Sequence, residues 1–297
     1  MMQFVLDVLI RTADLALVAV GLSAVYALVK FPNIAHVQYA AAGAYLTLAG
    51  QRLGLPLWAA AAVSALLTGW LAVALHACVF RRLQRAGPGA AMIASLAVSM
   101  VLGAVLLGLA GSRQQRYALE IASPLQVGGA AVSPAQLGSV AVAGAVLAVF
   151  AAFLFLTPLG RSMRALAANR ELAEATGIPA AAVTNRINFV SGLLAAIGGT
   201  MLAVRSNVHL QLGGDLLLPV FASAILGGLG NPLGAAGGAL LIAFAETAFT
   251  SLDFGWLVGQ PTAFAPAGYS GAASFLFLIL ALLYRPHGLF DRQVRRV

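Results

Sequence analysis

Nine apolar runs divide the chain, at residues 15–29, 34–49, 57–80, 90–110, 136–157, 187–204, 216–229, 233–250 and 271–284, with polar or glycine- and proline-bearing breaks between them. Transmembrane barrels alternate apolar and polar positions. These runs stay apolar along lengths approaching the roughly 20 residues a helix needs to cross about 30 Å of hydrocarbon. The pattern predicts an all-α polytopic membrane protein, one transmembrane unit over 1–297, with about eight spanning helices and a range of seven to nine. The shortest runs are marginal for a full crossing. One of them, near 31–49 or 216–229, is expected to be tilted, broken or re-entrant, which is tolerated only where freed backbone groups meet protein or a water-filled cavity.

Composition agrees: 61% of the 297 residues are apolar, 9% are charged, and the mean hydropathy is +0.94. Too few polar residues are present to cover a soluble globule of this size. The formal charge of +8 sits in clusters between apolar runs: Arg81, Arg82 and Arg85; Arg161, Arg164, Arg170 and Arg186; and Arg285, Arg292, Arg295 and Arg296. That is the positive-inside pattern of cytoplasmic loops in an inner-membrane protein, not the footprint of a nucleic-acid binder. Three runs precede the first cluster, which places the N-terminus outside if all three cross. Met1 to Leu9 carries Asp7 and no basic region, so a cleavable signal peptide is not expected. Residues 111–134, with Ser123-Pro124 and Gly128-Gly129 between short β-prone pieces, predict an external hairpin, and 251–269 a second external loop. The single cysteine, Cys78, leaves no intramolecular disulfide.

Residues 161–185 are the most informative cytoplasmic stretch. Helix formers from Ser162 to Thr176 predict a short amphipathic helix between the fifth and sixth runs, with Met163, Leu166, Ala167 and Ala173 on one face. Gly177 and Pro179 stop it. Such a helix suits docking into the groove of a soluble subunit. Glu171, Ala173 and Gly177 match the E-A-A-x-x-x-G coupling motif of ABC importer membrane subunits, with Leu172 in the second position. The residues carrying this coupling role are Arg164, Arg170, Glu171, Ala173, Glu174 and Gly177; an ordinary solvated loop is the plain alternative. A P-loop needs G-x-x-x-x-G-K-[ST]. The only lysine, Lys30, sits in Ala27-Leu28-Val29-Lys30-Phe31, so any ATP used belongs to another polypeptide, and no cofactor is expected on this chain. The histidines at 36, 76, 209 and 287 are scattered and no G-x-S-x-G elbow occurs, so no enzyme is expected.

Four stretches are similar to one family, the branched-chain amino acid permeases of the LivH type. They are Asn33-Ile34-Ala35-His36 through Gly43-Ala44-Tyr45, Thr157-Pro158-Leu159-Gly160-Arg161 through Gly177-Ile178, Leu226 through Gly234, and Tyr284-Arg285-Pro286-His287-Gly288-Leu289-Phe290. The sequence departs from the family's usual glycine at Val37 and phenylalanine at Ile34. The resemblance implies two ABC ATPase subunits, a second permease as homodimer or paralogue heterodimer, and a periplasmic or extracellular solute-binding protein. It also implies leucine, isoleucine, valine or other small amino acids as solutes, with urea or short amides as the alternative.

Polar residues inside apolar runs are expensive in lipid and face the bundle interior. The candidate solute pathway comprises Asn33, His36, Gln38, Gly228, Gly230, Asn231 and Glu246. Each also has a structural reading: an interhelical hydrogen bond for His36, close helix packing for the glycines at 230, 234 and 238, and a structural ion pair for Glu246. Asp215 is expected to cap a helix, and Ser95, Ser99 and Gly103 to form a small-residue packing row. A pathway for zwitterions with apolar side chains requires no buried fixed charge. An ion-coupled transporter working alone would rest on Asp14, Asp215 and Glu246, the acids in or beside apolar runs; it leaves the coupling loop unexplained.

Overall fold

A computed structural model describes residues 1–119, 123, 125–127, 129–253, 262, 264–284 and 288–289. The first helix, α1 (Met2–Val29), begins 13 residues before the apolar run does. Hydropathy had excluded Asp7, Arg11 and Asp14, yet Asp14 is buried. A left-handed Lys30 (φ 56°) ends α1, and a buried irregular segment through Phe31, Asn33 and Ala35 leads to α2 (His36–Arg52). α3 (Leu57–Leu75) continues through a π-helical turn at His76–Phe80 to the exposed Arg81, Arg82 and Arg85. α4 (Pro88–Ala110) returns, followed by a two-stranded antiparallel hairpin of β1 (Leu125–Val127) and β2 (Ala130–Val132), where Leu125 faces Val132. This hairpin is where the turn residues predicted it. α5 (Pro134–Leu156) opens with a capping box between Ser133 and Gln136.

Two short helices follow, α6 (Pro158–Ala168) and α7 (Arg170–Ala175), then α8 (Ala180–Ser206), α9 (Leu212–Leu226), α10 (Pro232–Ser251) and α11 (Ser270–Tyr284). Among the described residues, six stretches are long and apolar enough to cross a membrane: α1; the continuous stretch Leu57–Ala86 that holds α3; α4; α5; α8; and α10. α9 and α11 are shorter apolar helices. α2, of 17 residues, starts beside the middle of α1 because His36 hydrogen-bonds the Val18 carbonyl. The chain breaks between α1 and α2, at Lys30 to Ala35, whereas α2 itself runs unbroken over most of the stretch 31–49.

α1 is the buried axis, packed on α8 and α10, while α8 also packs on α2 and α3. α8 approaches α2 closely because the contact is lined with small residues. A Cβ on Gly43 would collide with Ala196, and one on Gly199 with the Ala40 backbone. Beside it, Thr47 shares hydrogen bonds with Ser64 (2.7 Å) and Thr200 (3.0 Å), joining α2, α3 and α8 through buried hydroxyls. α4 and α5 bury far less and turn rows of Leu, Val, Met and Ile outward. Apolar exposed surface of that kind belongs against lipid tails or another membrane helix.

The bundle has two distinct ends. Lys30 donates to the Ala167 carbonyl (3.3 Å), which places the C-terminus of α1 beside α6 at the arginine-rich end. At the opposite end, Gln115 bridges Val208, Arg11 pairs with Glu246, and Tyr117 donates to the Ala44 carbonyl. The start of α1 thus lies at the end away from α6 and α7. Arg285 to His287 and Phe290 to Val297, including the third basic cluster, lie outside the described residues, as do Glu120, Pro124, Gly128 and most of the loop after Asp253.

Candidate functional site

The loop between α5 and α8 departs from expectation in one respect. Helix formers fill 162–176, yet the helix breaks at Asn169 (φ −153°, ψ 106°). The Asn169 side chain accepts from the Leu172 amide (3.1 Å) and so caps α7, competing with continuation of α6. α6 is itself capped by Thr157, whose hydroxyl accepts from the Gly160 amide, with Pro158 at its first position. Met163 and Leu166 are buried in the same apolar cluster as Ala173, Val183 and the Val25–Leu28 end of α1. Gly177 (φ 89°) ends α7 in a Schellman motif: its own amide donates to the Glu174 carbonyl and the Ile178 amide to the Ala173 carbonyl. The predicted stop is there, and its positive φ explains the glycine.

The six residues proposed for coupling therefore divide. Ala173 is buried, anchoring α7 to the bundle. Arg164 turns back onto the end of α5, donating to the Leu154 carbonyl and standing 5.2 Å over the Phe155 ring. Arg170, Glu171, Glu174 and Gly177 are exposed, with Arg170 and Glu174 paired at 2.9 Å. Between them Leu172 is 64% exposed. An apolar side chain ringed by charges at the basic end is the surface α7 offers.

Of the candidate pathway residues, Asn33, His36 and Gln38 share the junction of α1 and α2. The Asn33 side chain accepts from the Ala35 amide (3.2 Å) and Ser95 Oγ from the Ile34 amide (3.0 Å), so freed backbone groups of the break are satisfied. This gives Ser95 a role beyond helix packing. His36 is fully enclosed. A carbonyl can only accept, so the Nε2 atom facing Val18 O at 3.1 Å carries the proton, leaving Nδ1 to face Ser191 Oγ at 3.4 Å. Ser191 donates to the Gly21 carbonyl (2.8 Å), and the ring fills the gap where Gly21 has no side chain. Gln38 Oε1 is buried without a hydrogen-bond partner, against Gly213.

Gly228, Gly230 and Asn231 lie at a second junction, between α9 and α10. The Gly230 amide donates to Ser23 Oγ (3.2 Å), and Asn231 caps α10 by accepting from the Gly234 amide (3.1 Å). Gly230 (φ 94°) precedes the helix, so the face shared by Gly230, Gly234 and Gly238 is not continuous. Gly234 and Gly238 instead let α10 lie on Gly227 and Ser223 of α9. Both junctions flank the same stretch of α1, one at Val18–Gly21 and the other at Ser23–Ala27.

Glu246 is elsewhere. It is buried near the far end of α10, paired with Arg11 at 2.6 Å and accepting from Ser274. Asp14 pairs with Arg205 one turn away. Asp215 does not cap α9, whose N-cap position is Gln211; it pairs with His209 at 2.9 Å. Sequence reading singled out Glu246, with a structural ion pair as one reading, and Asp14, but not their partners, since Arg11 and Arg205 lie outside the apolar runs and about 190 to 235 positions away. Fixed charge, not expected inside the pathway, is thus concentrated at this end. Among the described residues no group of three or more His, Cys, Asp or Glu could hold a metal ion.

Comparison with known proteins supplies the remaining piece. A family model described as a branched-chain amino acid transport system permease component matches residues 4–283. The permease protein BraD of Pseudomonas aeruginosa, of a high-affinity branched-chain amino acid transport system, is 25% identical, with 95% of this chain and 93% of that protein covered. A probable branched-chain amino acid permease, LivH of Methanocaldococcus jannaschii, is 27% identical (93% and 88% covered), and LivH of Escherichia coli 26% identical (95% and 93%). Among solved structures, PsaBC of Streptococcus pneumoniae in complex with Fab is similar in fold, with a TM-score of 0.51 at 14% identity over 94% of this chain and 91% of that one. Apolar helices that span, irregular junctions buried between them and a match across nearly the whole length point one way: this multi-pass membrane chain belongs to the family of branched-chain amino acid transport permease components.

Proposed function

We propose that this chain is the transmembrane subunit of an ABC importer, moving branched-chain or other small amino acids across the bacterial inner membrane with ATP hydrolysed by two separate subunits. The observation carrying this reading is the α6–α7 loop. Its inner face is locked into the bundle by Met163, Leu166 and Ala173, and its outer face presents Leu172 amid Arg170, Glu171 and Glu174. Motion imposed on α7 reaches the pathway by a short route. α6 touches the end of α1 through Lys30, and the next turns of α1 contact both helix junctions. ATP binding would shift an inward-open versus outward-open equilibrium because the ATPase contacts α7 differently in each state.

In this reading the basic end is cytoplasmic, the N-terminus is external, and eight helices cross while α2 enters from mid-depth. A second permease subunit covers part of the outward apolar surface, and an external binding protein delivers solute to the hairpin end. Ion-coupled transport by the chain alone is disfavoured, since Asp14 and Glu246 are each paired with an arginine.

The test is reconstitution. The purified complex is expected to contain an ATPase subunit, and Gly177→Pro or Glu171→Lys is expected to leave membrane insertion intact while uncoupling ATP hydrolysis from leucine uptake. Uptake by this chain alone in ATP-free vesicles, driven by a proton or sodium gradient, would overturn the proposal.

A further inference from the structure

Two cavities lie at the hairpin end of the bundle, separated by the last turns of α8, where Arg205 lines one and Val204 the other. The first, of about 740 Å³, is polar, with Asp7, Arg11, His209, Asp215 and Glu246 also on its wall. The second, of about 940 Å³, lies between α3 and α5 over a floor of α8 from Ile197 to Val204. Small residues carve it: Ala61 and Ala65 on α3, Ala135 and Gly138 on α5. The lining stretches of α3 (Leu57 to Ala65) and α5 (Pro134 to Val142) each rise about 12 Å, close to the half-thickness of a hydrocarbon core about 30 Å deep. Trp58, exposed near the start of α3, sets the rim at headgroup level, where indole rings concentrate.

That rim is basic. Gln51 and Ala118 both line it and are joined, Gln51 Oε1 accepting from the Ala118 amide at 3.2 Å. The next residue, Arg52, donates to Gln115, and Arg116 donates to Asn207 Oδ1 at 2.8 Å, just beyond the end of α8. Both arginines are exposed. Arg11 and Arg205 of the polar cavity pair with carboxylates; among the described residues Arg52 and Arg116 bond only neutral amides, so their charge is uncompensated.

We propose that the apolar cavity holds an acyl chain of one anionic glycerophospholipid, whose headgroup phosphate is taken by Arg52 and Arg116. The acyl chain fills the space from which α3 and α5 withhold side chains. The phosphate replaces Gln115 and Asn207 as partner of the arginines, exchanging neutral acceptors for a charge-assisted one. An anionic head is selected because the ammonium of a zwitterionic head would add a third cation to a rim that already holds two. A second copy of this chain carries the same basic rim, so a two-fold contact here would set like charges together. Such a lipid site is independent of the importer reading.

The experiment titrates the full chain, purified in detergent, with phosphatidylglycerol or phosphatidylcholine of the same acyl chains and counts retained lipid by native mass spectrometry. One phosphatidylglycerol is expected to be held about tenfold more tightly than phosphatidylcholine. Arg52→Gln combined with Arg116→Gln is expected to abolish that preference, and Arg52→Lys combined with Arg116→Lys to keep most of it. Gly138→Leu fills the cavity at a position where a Cβ meets nothing within 4 Å, and retention of both lipids is expected to fall. The arginine variants change only exposed side chains, so they read the site even if Gly138→Leu disturbs the bundle. Equal retention of the two lipids by the unsubstituted chain overturns the proposal, as does an undiminished preference in the double glutamine variant. Undiminished retention in a folded Gly138→Leu chain overturns it too, and loss of association between copies in that variant would assign the cavity to a second copy instead.

Discussion

Two polar regions interrupt the same buried helix, and they are built differently. Where α1 gives way to α2, the groups are neutral: Asn33 and Ser95 accept from the freed amides of Ala35 and Ile34, His36 and Ser191 donate to the Val18 and Gly21 carbonyls, and Gln38 Oε1 is left without a partner. Where α1 begins, the groups are charged: Arg11 with Glu246 and Arg205 with Asp14. The cost of burying charge accounts for the division. Neutral groups cost little at mid-depth when partnered and only modestly when one of them, as Gln38 Oε1, is not, while charges are sustained only beside oppositely charged groups and an opening cavity. α1 therefore carries fixed charge at its entrance and hydrogen-bonded neutrality at its centre.

The sharpest way to break this contrast is to orphan one buried charge. Glu246→Ala leaves Arg11 without its partner at 2.6 Å and is expected to destabilise the fold by about 3–5 kcal/mol. Denaturant-driven unfolding in mixed micelles reads the loss. A loss as small as that expected at the neutral junction would show that water reaches the pair and that the two regions do not differ in kind.

Next in size is a test of whether the contrast depends on tight packing around α2. Gly199→Val drives a side chain into the Ala40 backbone, with an expected cost of about 1–3 kcal/mol from overpacking. The same unfolding assay measures it. Close behind lies His36→Ala, which removes the side-chain donor that the Val18 carbonyl has beyond its helical one and should cost about 0.5–1.5 kcal/mol. His36→Gln, able to donate to the same carbonyl, is expected to recover part of that loss. If alanine and glutamine behave alike, packing rather than the hydrogen bond holds the junction.

The two regions also differ in how far a linear pattern reveals them. The neutral junction was partly legible, because Asn33, His36 and Gln38 stand together at the start of an apolar run too short for a full crossing. The charged end was half legible. Glu246 stood out inside its run, but Arg11 and Asp14 lowered local hydropathy enough to hide the first turns of α1, and pairing Arg205 with Asp14 requires a fold that brings residues 191 positions apart into contact. The break at Asn169 was hidden for another reason. Every neighbour favours helix, and one side-chain cap decides the outcome. The continuous glycine face failed because spacing alone cannot tell a helical glycine from one in the preceding turn, as Gly230 is.

The smallest expected effect separates both buried regions from the loop that would drive them. Arg170 and Glu174 form an i,i+4 pair on α7 with both side chains about half exposed. Exposed pairs of this kind contribute about 0.3–0.5 kcal/mol at most, so Glu174→Gln should barely move the unfolding midpoint. Stability is the readout because an ordinary solvated loop and a docking helix predict the same small value there, yet they diverge in function. If α7 docks on an ATPase, the substitution alters ATPase stimulation by solute while the fold is unchanged. If α7 is only a solvated loop, neither quantity moves. A large loss of stability would mean that the pair is held by the bundle rather than by water, and the surface assigned to the partner subunit would have to be redrawn around Leu172 alone.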